Sequence, residues 1–208
     1  ADYTFITNTK EVPVMKTATA PATARPTAHE ALVWIKGASY GNKYKLTVNS
    51  NSAEVTTPVA AVISSGSSIT ENRISSEDIA EELKTGIGTD AGVTITRSGS
   101  VLHLTSSSAI TLAATDAKAN QDIAIFLHEV QAFTELPTIA PQGYQISIIG
   151  DPGNDFDGYY VEFKPKSGTF GEGAWVETVS PGVEYEVDED KMPHILVRLS
   201  NGQFYFGP

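Results

Sequence analysis

Apolar and polar residues alternate on both sides of Ser98-Gly99, and that pattern leaves the chain little freedom there. With Ser98-Gly99 as a two-residue turn, Ile95 faces Leu102 and Val93 faces Leu104, all four on one face, while Thr94 faces His103 on the other. A three-residue loop would set Ile95 against His103 and scatter the apolar set over both faces, so the alternation selects the two-residue turn. The pattern returns at Asn201-Gly202, a strong hairpin signal, where it pairs Leu199 with Phe204 and Val197 with Phe206, and Arg198 with Tyr205 on the opposite face. Other strand-like runs recur at short spacing: residues 3–6; the continuous apolar run 31–36, of a kind buried on both faces; the alternating 44–48; Tyr144, Ile146 and Ile148 on one face; and residues 159–163 and 175–179. Gly37 and Gly41 flank one turn, Pro181-Gly182 forms another, and a glycine-rich stretch over 164–174 separates the last two runs. No period is regular enough for a solenoid.

One segment carries helical period instead. Ile79, Leu83 and Ile87 recur at i, i+4 and i+8 with Ala80 beside them, Ser75 or Ser76 can cap the start, and Glu77 and Asp78 fill the first turn. Lys84 lies near the end, and Gly86 is expected to close the helix in the left-handed conformation. The expected fold is α+β, mainly antiparallel β. Residues 1–28 form an N-terminal strand and an extended Pro/Ala/Thr-rich arm with prolines at 21 and 26. Residues 29–136 form an α+β module with one helix near 76–86 and a hairpin at 93–105, and residues 137–208 an antiparallel all-β module.

Charge narrows the function. The 208 residues carry 14 Lys and Arg against 25 Asp and Glu, a net charge of −11, which argues against a nucleic-acid binder that neutralises phosphates. The acidity is uneven: residues 1–130 hold a net of −3 and residues 131–208 a net of −8, densest in Glu184-Tyr185-Glu186-Val187-Asp188-Glu189-Asp190. A charge run of this kind commonly serves as a solvated edge that blocks strand-to-strand aggregation. The absence of cysteine excludes disulfides, thiolate zinc sites and a Cys nucleophile. No apolar run approaches the roughly 18 residues that span a membrane. The start, Ala1-Asp2-Tyr3-Thr4, has neither the basic nor the apolar part of a signal peptide, and without an initiator Met it suggests a processed product or a fragment.

Chemical motifs are sparse. His29, His103, His128 and His194 show no metal-ligand spacing, and neither His-Glu-x-x-His nor Gly-x-Ser-x-Gly occurs, so structural roles are expected for all four. The glycines from Gly86 to Gly92 follow a helix rather than a strand, so they read as helix exit and turn, not as a phosphate loop. Asp151-Pro152-Gly153-Asn154-Asp155-Phe156-Asp157-Gly158 matches part of a calcium loop. Gly153 stands at the first ligand position and Lys164 at the closing one, so an Asx-rich turn is favoured. Asp157, Glu162, Glu172 and Glu177 could supply a glycosidase-like pair, which only spatial separation would define. Trp175 and Glu177, at i and i+2, share one strand face and are the local candidates for a sugar platform. No catalytic, cofactor-binding or metal-binding residue is assigned, no cofactor is expected, and the chain is read as a non-enzyme.

The order of several segments resembles a known family. Val130-Gln131-Ala132-Phe133-Thr134-Glu135-Leu136-Pro137, then Ala140-Pro141-Gln142-Gly143-Tyr144, Gly150-Asp151-Pro152-Gly153 and Tyr159-Tyr160-Val161 resemble the tail tubular protein B, or tail nozzle, family of T7-like short-tailed bacteriophages. Gly173-Ala174-Trp175-Val176-Glu177-Thr178, Met192-Pro193-His194-Ile195-Leu196-Val197-Arg198 and Asn201-Gly202-Gln203-Phe204 continue in the same order. Thr4-Phe5-Ile6-Thr7-Asn8-Thr9-Lys10 and Ala31-Leu32-Val33-Trp34-Ile35-Lys36-Gly37 with Tyr40-Gly41 agree at the N-terminal side. The likeness is weakest over 50–125.

The resemblance implies a virion structural protein of the phage tail that self-associates in a ring, commonly a hexamer. Portal and adaptor tail proteins are the implied partners, and ejected DNA passes through without specific binding. Members are several times longer, so this chain is expected to be an N-terminal portion or a shortened relative. An acidic wall would keep phosphates off its surface, and a ring turns each local charge cluster into a belt, with Asp188, Glu189 and Asp190 the first candidates to line it. The alternative is a tail-associated carbohydrate-binding or polysaccharide-degrading module.

Overall fold

A strand that is apolar at every position needs a covering layer on each side, and residues 31–35 receive both. The computed structural model describes residues 29–59, 74–89, 92–151, 153, 157–181, 195–198 and 203–207. The expected strand at 3–6, the arm at 17–28, the acidic run at 184–190 and His194 lie outside them. Strands β1 (Glu30–Ile35), β2 (Lys43–Val48) and β3 (Asn51–Thr56) precede the helix α1 (Ser76–Ile87). Then come β4 (Thr94–Ser98), β5 (Val101–Thr105), β6 (Leu112–Asp116), β7 (Ile123–Phe126), β8 (Glu129–Val130) and a 3-10 turn over Phe133–Glu135. The run ends with β9 (Ile139–Pro141), β10 (Gln145–Ile148), β11 (Tyr159–Pro165), β12 (Phe170–Thr178), β13 (Ile195–Arg198) and β14 (Phe204–Gly207). The described residues have an α+β architecture dominated by antiparallel strands, with one α-helix among them.

Two contact units divide the chain. One comprises residues 25–180 and the other residues 1–24 with 181–208, of which the described part is the β13–β14 hairpin. In the larger unit, a four-stranded sheet of order β4-β5-β1-β7 lies between two cores. Alternate residues of β1 serve different sides: Ala31, Val33 and Ile35 enter the first core, and Leu32 and Trp34 the second. The first core is completed by the sheet β3-β2-β6, through Tyr44, Leu46, Val48 and Val55, and by α1. The second is completed by the sheet β8-β10-β11-β12-β9, through Tyr144, Ile146, Ile148, Val161 and Phe163.

The helix forms where its period predicts. Ser75 caps it, with its hydroxyl accepting from the amides of Glu77 and Asp78, and Ile79, Ala80, Leu83 and Ile87 are buried. Its end differs from expectation. Gly86 stays inside the helix, and Gly88, at φ 68°, closes it. The reason is tertiary: a Cβ on Gly86 would lie 2.8 Å from Ala53 Cβ, so glycine there lets α1 sit directly on β3.

Three further expectations are corrected. The first hairpin keeps a two-residue turn, but it is Gly99-Ser100, and it pairs Ile95 with Leu104, Thr96 with His103 and Arg97 with Leu102. Gly99 takes φ 53° at the first turn position, where a II′ turn favours glycine. Because the partners moved by two residues, every side chain keeps its face. In the second hairpin Leu196 pairs with Phe206 and Val197 with Tyr205, one residue away from the expected register, and the Asn201-Gly202 turn itself lies outside the described residues. The stretch 164–174 is mostly strand, since β11 runs to Pro165 and β12 begins at Phe170. Glycine serves packing there too, because a Cβ on Gly173 would collide with the Lys164 carbonyl.

Candidate functional site

The carboxylates proposed as a hydrolytic pair do not converge. Glu162 on β11 accepts from Gln145 Nε2 at 3.2 Å, and Glu172 on β12 lies 3.9 Å from Lys166 Nζ. Glu177 is exposed opposite Val161, and Asp157 is exposed beside Gly150. The Glu81 carboxyl on α1 is held below the usual range by Arg97 and then by Lys84. Among the described residues no group of three or more His, Asp or Glu side chains is placed to hold a metal ion. Only part of the 151–158 string is described, and there Asp151 Oδ1 accepts from the Gly153 amide at 2.9 Å, as an Asx turn does.

Trp175 does share a face with Glu177, but its indole is committed to the second core. Nε1 donates to the Pro137 carbonyl at 2.7 Å, and the ring meets Phe163 and Tyr144 edge-on at 5.0 and 6.2 Å. A half-buried indole held this way is a packing element, not a flat platform for a sugar.

Of the histidines, His128 is exposed and its carbonyl accepts from Ser147, while the carbonyl of His29 accepts from Ser106. His103 is buried; its partner across the turn is Thr96, not Thr94, and its chemical partner is Glu30 on the neighbouring strand. His103 Nε2 lies 3.0 Å from Glu30 Oε2, and Glu30 is only 2% exposed. The sole sequence hint was a carboxylate at the mouth of an otherwise apolar strand.

Two other polar clusters went unanticipated. On the 116–122 loop, Asp116 Oδ1 accepts from the amides of Lys118 and Asn120 at 2.7 and 2.8 Å, and Oδ2 accepts from the amide of Asp122 at 2.7 Å. Partial burial pushes the Asp116 carboxyl up, but the amides of Asp122, Lys118, Asn120 and Ile123 together outweigh it and hold it below its ordinary 3.8. Asp122 Oδ2 in turn accepts from Ser39 Oγ at 2.6 Å and lies 3.2 Å from the Tyr44 hydroxyl, so the loop straps β6 and β7 to the turn before β2. Arg97 reaches from β4 to the helix, where Nε donates to Glu81 Oε2 at 2.6 Å. These groups fasten elements together, and none faces a second reactive group across a cleft. A groove of about 470 Å³ beside Trp34 and Phe126 carries Lys36, Glu129 and Glu135.

Scaffolding chemistry of this kind agrees with the comparisons. The sequence pattern of the bacteriophage nozzle protein matches residues 1–208. The tail tubular protein gp12 of Escherichia phage T7 is 29% identical over 214 aligned residues, which cover 99% of this chain and 25% of that protein. The chain thus spans about a quarter of the length of the curated relative it matches. With the nozzle pattern running through every residue from 1 to 208, the chain belongs to the bacteriophage nozzle protein family.

Proposed function

We propose that this chain, a structural component of the phage tail, assembles with copies of itself into a ring around the channel through which DNA leaves the virion. The ring is six-fold in the full-length protein and meets the portal and adaptor tail proteins. The observation that carries this is the nozzle-family match over the whole chain. The net charge of −11 supports a wall that repels phosphates and leaves DNA free to slide. A ring repeats each acidic cluster once per subunit. No step of this work makes or breaks a covalent bond. Electron microscopy of the full-length protein tests the assembly: a ring with a central channel is expected, and a dispersed monomer overturns it. The charge role has its own test, because Asp188→Lys, Glu189→Lys and Asp190→Lys together should slow DNA ejection severalfold. Unchanged ejection kinetics remove those residues from the wall.

A further inference from the structure

Strand β7 ends the four-stranded sheet and β8 ends the five-stranded one, and both open edges border the groove of about 470 Å³. The Lys36 amide donates to the Asp122 carbonyl at 2.8 Å, and Trp34 of β1 pairs with Ala124. Alternation along that ladder turns the backbone of Ala124 toward β1 and that of Ile125 away from it. On β8 the carbonyls of His128 and Val130 accept from the amides of Ser147 and Ile149, which leaves the Glu129 N–H and C=O turned outward. Ile125 and Glu129 both line the groove, and none of the described strands pairs with their outward groups. Trp34, Ala124 and Phe126 form its floor, where they belong to or pack against the second core. We propose that this groove receives residues 59–63 of a neighbouring copy, which add to β7 as an extra strand and link copies head to tail.

An open strand edge is a template for another strand, and folded proteins commonly guard it with charge. The opposite edge of the same sheet is guarded: β4 carries Arg97, whose Nε donates to Glu81 of α1 at 2.6 Å. β7 reads Ile-Ala-Ile-Phe and carries no charge. Lys36, Glu129 and Glu135 stand exposed at the rim of the groove, and over its apolar floor a charged side chain would lose water without a partner. The occupant that fits is therefore extended, apolar and uncharged. Residues 55–70 hold no Asp, Glu, Lys or Arg, and within them Val59-Ala60-Ala61-Val62-Ile63 is apolar throughout, with β-branched side chains at three of its five positions. Val59 is 75% exposed, the most of any large hydrophobic side chain among the described residues, and residues 60–63 lie outside them. The root of the segment is fixed, because the Pro58 carbonyl accepts from the Gly41 amide at 2.8 Å and the Thr57 amide donates to the Asn42 carbonyl at 2.9 Å. Groove and segment are different surfaces, so their pairing is heterologous, the kind of contact that closes rings. The inference rests on the ring reading above, which supplies the neighbouring copy.

The chain has no cysteine, so an introduced pair reports a single contact. Against a strand on the open side of β7, Ala124 holds a non-hydrogen-bonded position, where side chains stand closest. The 208-residue chain carrying Ala124→Cys is mixed with a tagged chain carrying Ala60→Cys, Ala61→Cys or Val62→Cys, one at a time, and oxidised. The control partner for Ala124→Cys is Val176→Cys, exposed on β12. Disulfide-linked 1:1 dimers should form about tenfold faster with the segment than with the control, because docking raises the concentration of one thiol at the other. Residue 61 should respond differently from residues 60 and 62, since a strand presents alternate side chains to one face. The far-ultraviolet dichroism of each variant, matched to the parent, reports that it is folded. Segment rates no faster than the control overturn the proposal. A single chain carrying Ala124→Cys and the fastest segment cysteine should give a ladder of linked copies, and a monomer closed on itself overturns the docking between copies. Rings of the full-length protein that give no cross-link overturn this contact and leave the ring reading standing, whereas linked copies without a ring support the contact and count against the six-fold reading.

Discussion

The two cores on either side of the central sheet are built from different materials. The first is aliphatic: Val33, Ile35, Leu46, Leu83, Leu102 and their neighbours fill it, and Tyr44 is the one ring among its described buried members. The second gathers Phe126, Tyr144 and Phe163 with Trp34, Phe170 and Trp175 packed against them. Aliphatic side chains need only be excluded from water, so the first core is closed by shape, with a helix pressed onto a strand at Gly86. Aromatic residues with polar handles must also satisfy those handles, so the second core is pinned by directed bonds, from Tyr144 to Leu127 and from Trp175 to Pro137. The first core has one such handle, the Tyr44 hydroxyl beside Gly37 and Asp122, and the second relies on several.

The largest test of that contrast is truncation in each core. Phe163→Ala should cost about 3–5 kcal/mol and Leu83→Ala about 2–5 kcal/mol, both sites being fully buried. Denaturant titrations read by tryptophan emission and by helical circular dichroism should respond unequally. Phe163→Ala should move the emission midpoint further, and Leu83→Ala the dichroism midpoint. Equal movement of both signals in both variants would erase the distinction. A smaller effect sharpens the first core alone. Gly86→Ala gains about 1 kcal/mol of helix propensity. It must also place a methyl 2.8 Å from Ala53 Cβ, and such overpacking costs about 1–3 kcal/mol. A net loss is expected, most of it returned by adding Ala53→Gly, and a stabilised single variant would show that the contact between α1 and β3 can yield.

The smallest effect lies in the 116–122 strap, at the rim of the first core. Because the folded Asp116 carboxyl is held below its ordinary value, its contribution to stability is present above about pH 3.8 and disappears as pH falls through the lower folded value. Asp116→Asn should therefore cost about 1 kcal/mol at pH 7. Parent and variant should converge in stability once the pH falls below the lowered folded value, as followed by urea titration. A gap that persists in strong acid would assign the loss to packing.

The aliphatic side was the more legible in the sequence, and the reason is periodicity. Ile79, Leu83 and Ile87 announce α1 and its buried stripe, and the alternation of Tyr44, Leu46 and Val48 announces β2, because each pattern is local. What could not be read depended on residues far apart in the chain. Gly86 looked like a helix terminator because its true constraint, Ala53, lies elsewhere in the sequence. A shift of hairpin partners by two leaves every face unchanged, so the pattern alone does not separate a Ser98-Gly99 turn from the Gly99-Ser100 turn that forms. Strands as short as β8 and β9 leave no periodic trace, and Gly173, which lets β12 lie close beside β11, resembles a loop glycine. The family likeness was legible in the order of the segments, whereas the Glu30–His103 pair needed the pairing of β1 with β5 to become visible.

β1 supplies both cores with alternate side chains, and that has a genetic corollary. A single-codon insertion within it would exchange the two sets of occupants, sending Trp34 toward a space shaped for Val33 and Ile35. The strand is therefore closed to length variation, while the four-residue tip between β11 and β12, exposed throughout, is a place where descendants of this chain can grow.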